Sequence, residues 1–295
     1  MKMGIKCFSC MVTQVEKIIS ILDLDYESGI NIMREVFSFM SEMDLSSPTP
    51  VIARQVYTLM DELTGCEDPF AAVKKMSNDN AAHLVPEIRK MMDTGSGRLA
   101  DALRVSISGN IIDYGAPGSG EMVNIRGSLD EAMSSPVDGD TLNSFSRDTE
   151  NAERILFIGD NAGEIVFDMV LLEELPASKI TYVVRGGPII NDATMHDVAY
   201  TGLDRSVRVI DTGDRTPGID FSGSSDEFMQ EMERADMVIL KGQGNLETVY
   251  DQDLRPFMKQ GVPLYFLIKV KCDYIAEMIE RNIGDIAFLR RLSWQ

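Results

Sequence analysis

The residues Gly159-Asp160-Asn161-Ala162-Gly163-Glu164 set a carboxylate and an amide side by side directly after the apolar run Ile155 to Ile158. Both side chains are oxygen donors. With Asp192, which follows the next apolar run, they suit a hard divalent ion that keeps coordination positions open for a phosphate. The plain alternative is helix capping: Asn161 and Glu164 have the spacing of a capping box, with Asn in place of Ser or Thr. The two roles are compatible.

A second stretch, Lys241 to Thr248 (KGQGNLET), carries Gly242 and Gly244, which allow consecutive N–H groups to point at an anion. Asn245 adds a donor and Lys241 a charge. A tight strand-exit turn explains the same glycines, and the stretch lacks the Gly-Lys-Ser/Thr ending of a phosphate-binding NTPase loop. Lys269 and Lys271 alternate onto one face while their strand lasts. One of them can neutralise a phosphate, or both can end in solvent.

Other chemistries fit less well. A dinucleotide site wants Gly-x-Gly-x-x-Gly after the first strand and an acid at the end of the second, where Tyr182-Val183-Val184 instead runs into Arg185-Gly186. The missing acid counts equally against a methyltransferase holding an adenosylmethionine ribose. Two aspartates separated by one residue, as a dehalogenase-type phosphatase needs, are absent after Ile158. His83 and His196 are too few for a site of several imidazoles, and no serine sits in a nucleophile elbow. Cys7-Phe8-Ser9-Cys10 has the spacing of half a zinc site or of a redox pair. Cys66 and Cys272 complete four thiolates only if the fold gathers them; otherwise all four are ordinary thiols.

The elements that must position these residues change character along the chain. From Val12 to Ile112 the periodicity is helical, as in Val51 to Leu63, where Ile52, Val56, Leu59, Met60 and Leu63 share a face behind Pro48 and Pro50. Tyr114 to Arg147 is rich in Gly, Ser, Pro and Asp and reads as loops with a boundary or lid. After residue 150, apolar runs (Ile155 to Ile158, Ile180 to Val184, Val207 to Ile210, Met237 to Leu240, Leu264 to Ile268) alternate with helical patterns. That alternation predicts βαβ units and a mainly parallel α/β sheet, with ligands bound beyond the carboxyl ends of the strands. The division expected is a helical 1–113, a loop-rich 114–150 and a Rossmann-like 151–295.

The 295 residues include 28 basic and 47 acidic side chains, a net charge of −19, with 44% hydrophobic residues. This excludes wholesale disorder and a disulfide-rich miniprotein. Without a Lys/Arg-rich stretch, so acidic a chain argues against nucleic acid as partner. It also repels anionic metabolites, so a phosphorylated substrate needs a metal or well-placed lysines at the site. No apolar run reaches the length of a membrane span and the first residues lack signal-peptide features, so a cytoplasmic protein without a membrane partner is expected.

Taken in order, Cys7-x-x-Cys10, Asp68-Pro69-Phe70, Lys74 to Asn78, Gly109 to Gly115 (GNIIDYG), Gly159 to Glu164, Asn191 to Thr194, Lys241 to Thr248 and Lys271-Cys272 resemble the metal-dependent damage-control phosphatases. The subfamily suggested is the cysteine-pair-bearing prokaryotic one, long catalogued as a domain of unknown function. The resemblance implies helices packed on a Rossmann-like portion, with the active site between them. It implies a divalent ion (Mg, Mn, Co or Ni) on Asp160, Asn161 and Asp192, and Lys271 against the phosphate. Asn110 and Asp113 match a motif facing the cleft; with Lys241, Gly242, Gly244, Asn245 and Glu247 they form the expected substrate-contacting set. Leu246 departs from the family by replacing a more usual aromatic. The implied reaction is hydrolysis of small-molecule phosphate monoesters, sugar phosphates and damaged metabolites among them, with Asp160 and Lys271 catalytic. Glu164, a turn beyond Asp160, is the expected water-orienting or proton-handling residue, and zinc at Cys7 and Cys10 remains open. The alternatives are an adenosylmethionine-dependent methyltransferase and a non-catalytic metal- or phosphate-binding module. Oligomeric state is not fixed by the sequence.

Overall fold

The computed structural model describes residues 3–93, 97–109, 130–131 and 133–294. Five helices come first: α1 (Ile5–Ile21), α2 (Tyr26–Glu42), α3 (Thr49–Thr64), α4 (Ala71–Asp93) and α5 (Arg98–Ser108). Local chemistry sets their ends. Asp25 accepts the Ser28 N–H at 2.9 Å to start α2, and α3 stops at Gly65, whose φ of 70° suits a residue without Cβ. The start of α4 escapes the apolar pattern, which begins only near Ala81, because its first turns bury Lys74, Ser77 and Asn78 instead.

Then follow α6 (Gly139–Asn151), β1 (Ile155–Ile158), α7 (Glu164–Leu172), β2 (Ile180–Val184), α8 (Met195–Thr201), β3 (Arg208–Asp211), α9 (Asp226–Arg234), β4 (Met237–Lys241), α10 (Gly242–Val249), β5 (Pro263–Lys269), α11 (Asp273–Ile279) and β6 (Ile286–Leu292). The sheet order is β3-β2-β1-β4-β5-β6. Its first five strands are parallel, with Ile155 opposite both Ile180 and Met237, and β6 is antiparallel to β5. This is the expected mainly parallel α/β sheet, with one edge strand that the alternation did not announce. The order reverses between β1 and β4, so a crevice forms beyond the carboxyl ends of those two strands.

α6 lies within and just beyond the stretch expected to be loop-rich. Asp138 caps it through the Thr141 N–H at 2.8 Å, and Phe145 anchors it edge-on to Tyr265 with ring centroids 4.9 Å apart. The buried clusters also divide the N-terminal helices elsewhere than at residue 113. Residues of α1, α2 and α3 form a core of their own with Phe70 and Ile189, whereas Ile88 of α4 and Leu103 of α5 join the core beneath β1, β2, β4 and β5. No helix among the described residues is long and apolar enough to cross a membrane.

Candidate active site

β1 and β2 deliver their loops to the crevice, and a short antiparallel bridge between Asn161 and Asp192 ties those loops together. Ala162 N–H donates to Asn191 O and Ala193 N–H to Asp160 O, each at 2.8 Å. Backbone pairing therefore brings Asp160, Asn161 and Asp192 to one spot although the outer two are 32 positions apart in sequence. Asp160 also lies against the N-terminus of α10. Gly242, with φ of 75°, is required there because a Cβ would overlap the Asp160 carboxylate.

Asn161 Nδ2 donates to Asp160 Oδ2 at 2.9 Å and to Glu164 Oε1 at 2.7 Å. With both N–H groups turned to carboxylates, the amide oxygen is the only atom of that group able to ligate a cation. The capping expectation is corrected: Gly163 is the N-cap of α7, and Asn161 meets Glu164 side chain to side chain. Gly163 N–H donates to Asn78 Oδ1 at 2.7 Å, and Asn78 Nδ2 donates to Asp197 Oδ1 at 2.9 Å, so α4 fastens this loop to α8.

Burial first, then the charge of Asp192, pushes Asp160 up to about 7, against the pull of Arg185, Lys271 and Lys241. Asp192 is also raised, by burial, with Arg185 opposing. Two buried carboxyls, both raised chiefly by burial, beside an amide oxygen form a hard donor set that a divalent cation would fit. Part of the balancing charge comes from Arg185, a residue that sequence reasoning used only as a missing acid. Its Nε donates to Asp192 Oδ2 at 2.7 Å, its Nη2 donates to Asn245 Oδ1 at 3.1 Å, and it lies 3.7 Å from Asp160 Oδ1. Its Nη1 has no partner among the described residues. An Arg directly after a largely buried strand was the available signal.

Several expected contacts fall elsewhere. Lys241, fully buried, spends its ammonium on Ser106 O, Glu164 and Asp168 at 2.9, 3.1 and 2.6 Å. It is a strut under the cleft and not a phosphate ligand. Glu164 completes the strut, held between Asn161 and Lys241 with its pKa pushed up to about 7, chiefly by burial. Asn245 is likewise internal: its Nδ2 donates to Gly159 O and Lys241 O, locking the ends of β1 and β4 together. Asn110 and Asp113 lie outside the described residues. Gly109, just before them, packs so closely on Phe167 and Glu164 that a Cβ would stand 2.8 and 3.1 Å away.

The cleft itself, about 280 Å³, is lined by Asp160, Asn161, Asp192, Gly244, Glu247 and Lys271, with Lys17 of α1 joining from the helical side. Lys17 was not anticipated, because a solvated helix lysine carries no local signal. Lys271 N–H donates to Gln243 Oε1 at 2.5 Å, which fixes its backbone at the rim. Gly244 admits the Pro217 carbonyl where a side chain would stand. Cys7, Cys10 and Cys272 line a neighbouring cavity that Cys66 does not reach. Among the described residues no group of three or more His, Cys, Asp or Glu is placed to hold a metal.

This sequence and fold have relatives. The chain is 31% identical to an uncharacterized protein of Methanocaldococcus jannaschii over 97% of this chain and 94% of that one. It is 30% identical to a damage-control phosphatase of Archaeoglobus fulgidus, covering 97% and 98%. The crystal structure of a DUF89 family protein from Pyrococcus horikoshii superposes with a TM-score of 0.85 at 27% identity, covering 98% of this chain and 99% of the other. The damage-control phosphatase ARMT1-like domain model matches residues 3–286, and the chain belongs to that family.

Proposed function

We propose that the protein is a metal-dependent phosphatase acting on phosphate monoesters of small metabolites, with sugar phosphates and damaged phosphometabolites as the class the family resemblance implies. The observation that carries this reading is the convergence of Asp160, Asn161 and Asp192 on a cleft that also receives Lys17 and Lys271. Relatives from Pyrococcus horikoshii and Archaeoglobus fulgidus bear the name damage-control phosphatase, which supports the same activity.

Asp160, Asn161 and Asp192 would hold a divalent ion, which when bound would supply Lewis-acid polarisation of the phosphoryl group. The hard oxygen set favours Mg or Mn over softer ions. Arg185 holds the two carboxylates in place, and Glu164 orients the Asn161 amide. Lys271 and Lys17 bring positive charge to the phosphate oxygens, which a chain of net charge −19 otherwise repels. Glu164 acts through Asn161 and is a positioning residue.

Phosphate release from p-nitrophenyl phosphate, hexose and pentose phosphates and nucleotides, with Mg, Mn, Co or Ni in turn, tests the reading. Metal-dependent release that Asp160→Ala abolishes is expected. Equal release by Asp160→Ala overturns the site, and metal-dependent stabilisation without any release favours a binding module.

A further inference from the structure

Beside the metal cleft lies a second cavity, of about 480 Å³, between α1 and α3. Met11, Val15 and Ile18 contribute from α1, and Val56, Tyr57 and Met60 from α3. The two cavities share Gln14, Thr49, Gln243, Glu247 and Lys271 together with the apolar Ala53 and Ile190, so they adjoin along a common, mostly polar wall at the end where a phosphate would meet Lys271. Apolar chambers of roughly 300 to 1,000 Å³ carrying a few fixed polar groups are the usual form of small-molecule sites.

Two residues that line this chamber each carry a buried polar atom with no hydrogen-bond partner among the described residues: Tyr57 Oη and Gln14 Oε1. Tyr57 is only 7% exposed, and burial pushes its phenol well above the ordinary range, so it stays a proton donor. Buried hydroxyls are almost always paired, which makes an unpaired one on a cavity-lining residue a mark of a missing ligand atom. A donor and an acceptor in an apolar wall define what would fit. A hydrocarbon chain or ring ending in a hydroxyl or amide would lie along the apolar wall and satisfy both atoms.

We propose that this chamber is the subsite for the alcohol part of the ester, and that the preferred substrates are phosphomonoesters whose alcohol is an apolar chain or ring with a hydrogen-bonding group at its far end. The proposal rests on the phosphatase reading of the adjoining cleft and adds the nature of the organic moiety. Thr49, Gln243 and Glu247 on the common wall serve the polar carbons next to the phosphate, and Tyr57 with Gln14 serves the far end.

The test compares ethyl, hexyl and 6-hydroxyhexyl phosphate on the whole protein with Mg or Mn. Hexyl phosphate should have a kcat/KM at least about tenfold above ethyl phosphate. The hydroxylated chain should gain a further several-fold that Tyr57→Phe removes. Val56→Phe, which fills the chamber, should bring the hexyl-to-ethyl ratio toward unity; if that variant does not fold, the isosteric Tyr57→Phe still decides through the hydroxyl. Equal kcat/KM for ethyl and hexyl phosphate in the wild type overturns the subsite while leaving the phosphatase intact. If no ester is hydrolysed with any metal, the phosphatase reading fails by itself. Calorimetry with 1,6-hexanediol then decides the chamber: saturable binding lost in Val56→Phe supports it, and no binding to the wild type overturns it.

Discussion

Arg185 Nε donates to Asp192 Oδ2 at 2.7 Å with both side chains buried, so a guanidinium stands where the charge of a would-be metal ligand must be balanced. Removing one partner of a buried pair leaves the other uncompensated. Arg185→Met should therefore lower unfolding stability in chelator by about 3–5 kcal/mol. Added Mg or Mn should recover more of this loss than it adds to the wild type. Thermal unfolding with and without metal checks this, and an equal metal increment in both proteins would count against shared compensation.

Glu164 orients the Asn161 amide through a single acceptor oxygen. Glu164→Gln keeps an acceptor at that position and should retain metal binding close to wild type. Glu164→Ala should weaken it by about 10- to 100-fold, the usual effect of losing a group that orients a ligand. Calorimetric titration with Mn separates the two. Equal losses in both variants would point to the carboxylate charge instead of the hydrogen bond.

Two lysines differ sharply in place and therefore in expected effect. Lys241→Met strips Glu164 and Asp168 of their cation and should cost about 3–5 kcal/mol in urea unfolding. Lys271→Met alters an exposed side chain at the cleft and should leave stability within about 0.5 kcal/mol. Its phosphate release should fall by about 10²- to 10³-fold. A Lys241 variant of normal stability would contradict the strut.

Burial pushes the Glu247 carboxyl up from near 4.5 to about 7, against a hydrogen bond with Thr49 that lowers it. The folded state therefore holds this proton more tightly than the unfolded chain does. Its contribution to stability is complete below the ordinary value and is lost as pH rises through about 7. Glu247→Gln should flatten the decline of the unfolding midpoint between about pH 5 and 8 relative to wild type. Parallel curves for the two proteins would assign that decline to other groups.

Asp160, Asn161 and Asp192 are legible in the sequence because each follows an apolar run, and apolar runs are local signals. The family match supports the fold they belong to. Arg185, Lys241 and Asn245 are different. Each has at least one partner 60 to 135 positions away, Asn245 for Arg185 and Ser106 for Lys241 among them, and no spacing rule reaches that far. β6 reads poorly because Arg290 and Arg291 interrupt its apolar face on the sheet edge. α6 reads poorly because Phe145 is almost alone among polar neighbours. Asn245 and Glu164 also show how a polar residue in a candidate motif can turn inward: each satisfies buried backbone or side-chain groups that the sequence does not display.

Ile189 belongs to the core of the three N-terminal helices, yet it stands only three positions before Asp192. Backbone bonding from Asp192 N–H to Ile189 O at 3.0 Å closes that short span into one turn. The helical cap and the proposed metal ligand Asp192 are thus tied to the same few atoms. Free-energy linkage between sites is reciprocal, so if repacking the cap around Ile189 alters cation affinity at Asp192, a bound cation must alter the packing of the cap by the same free energy.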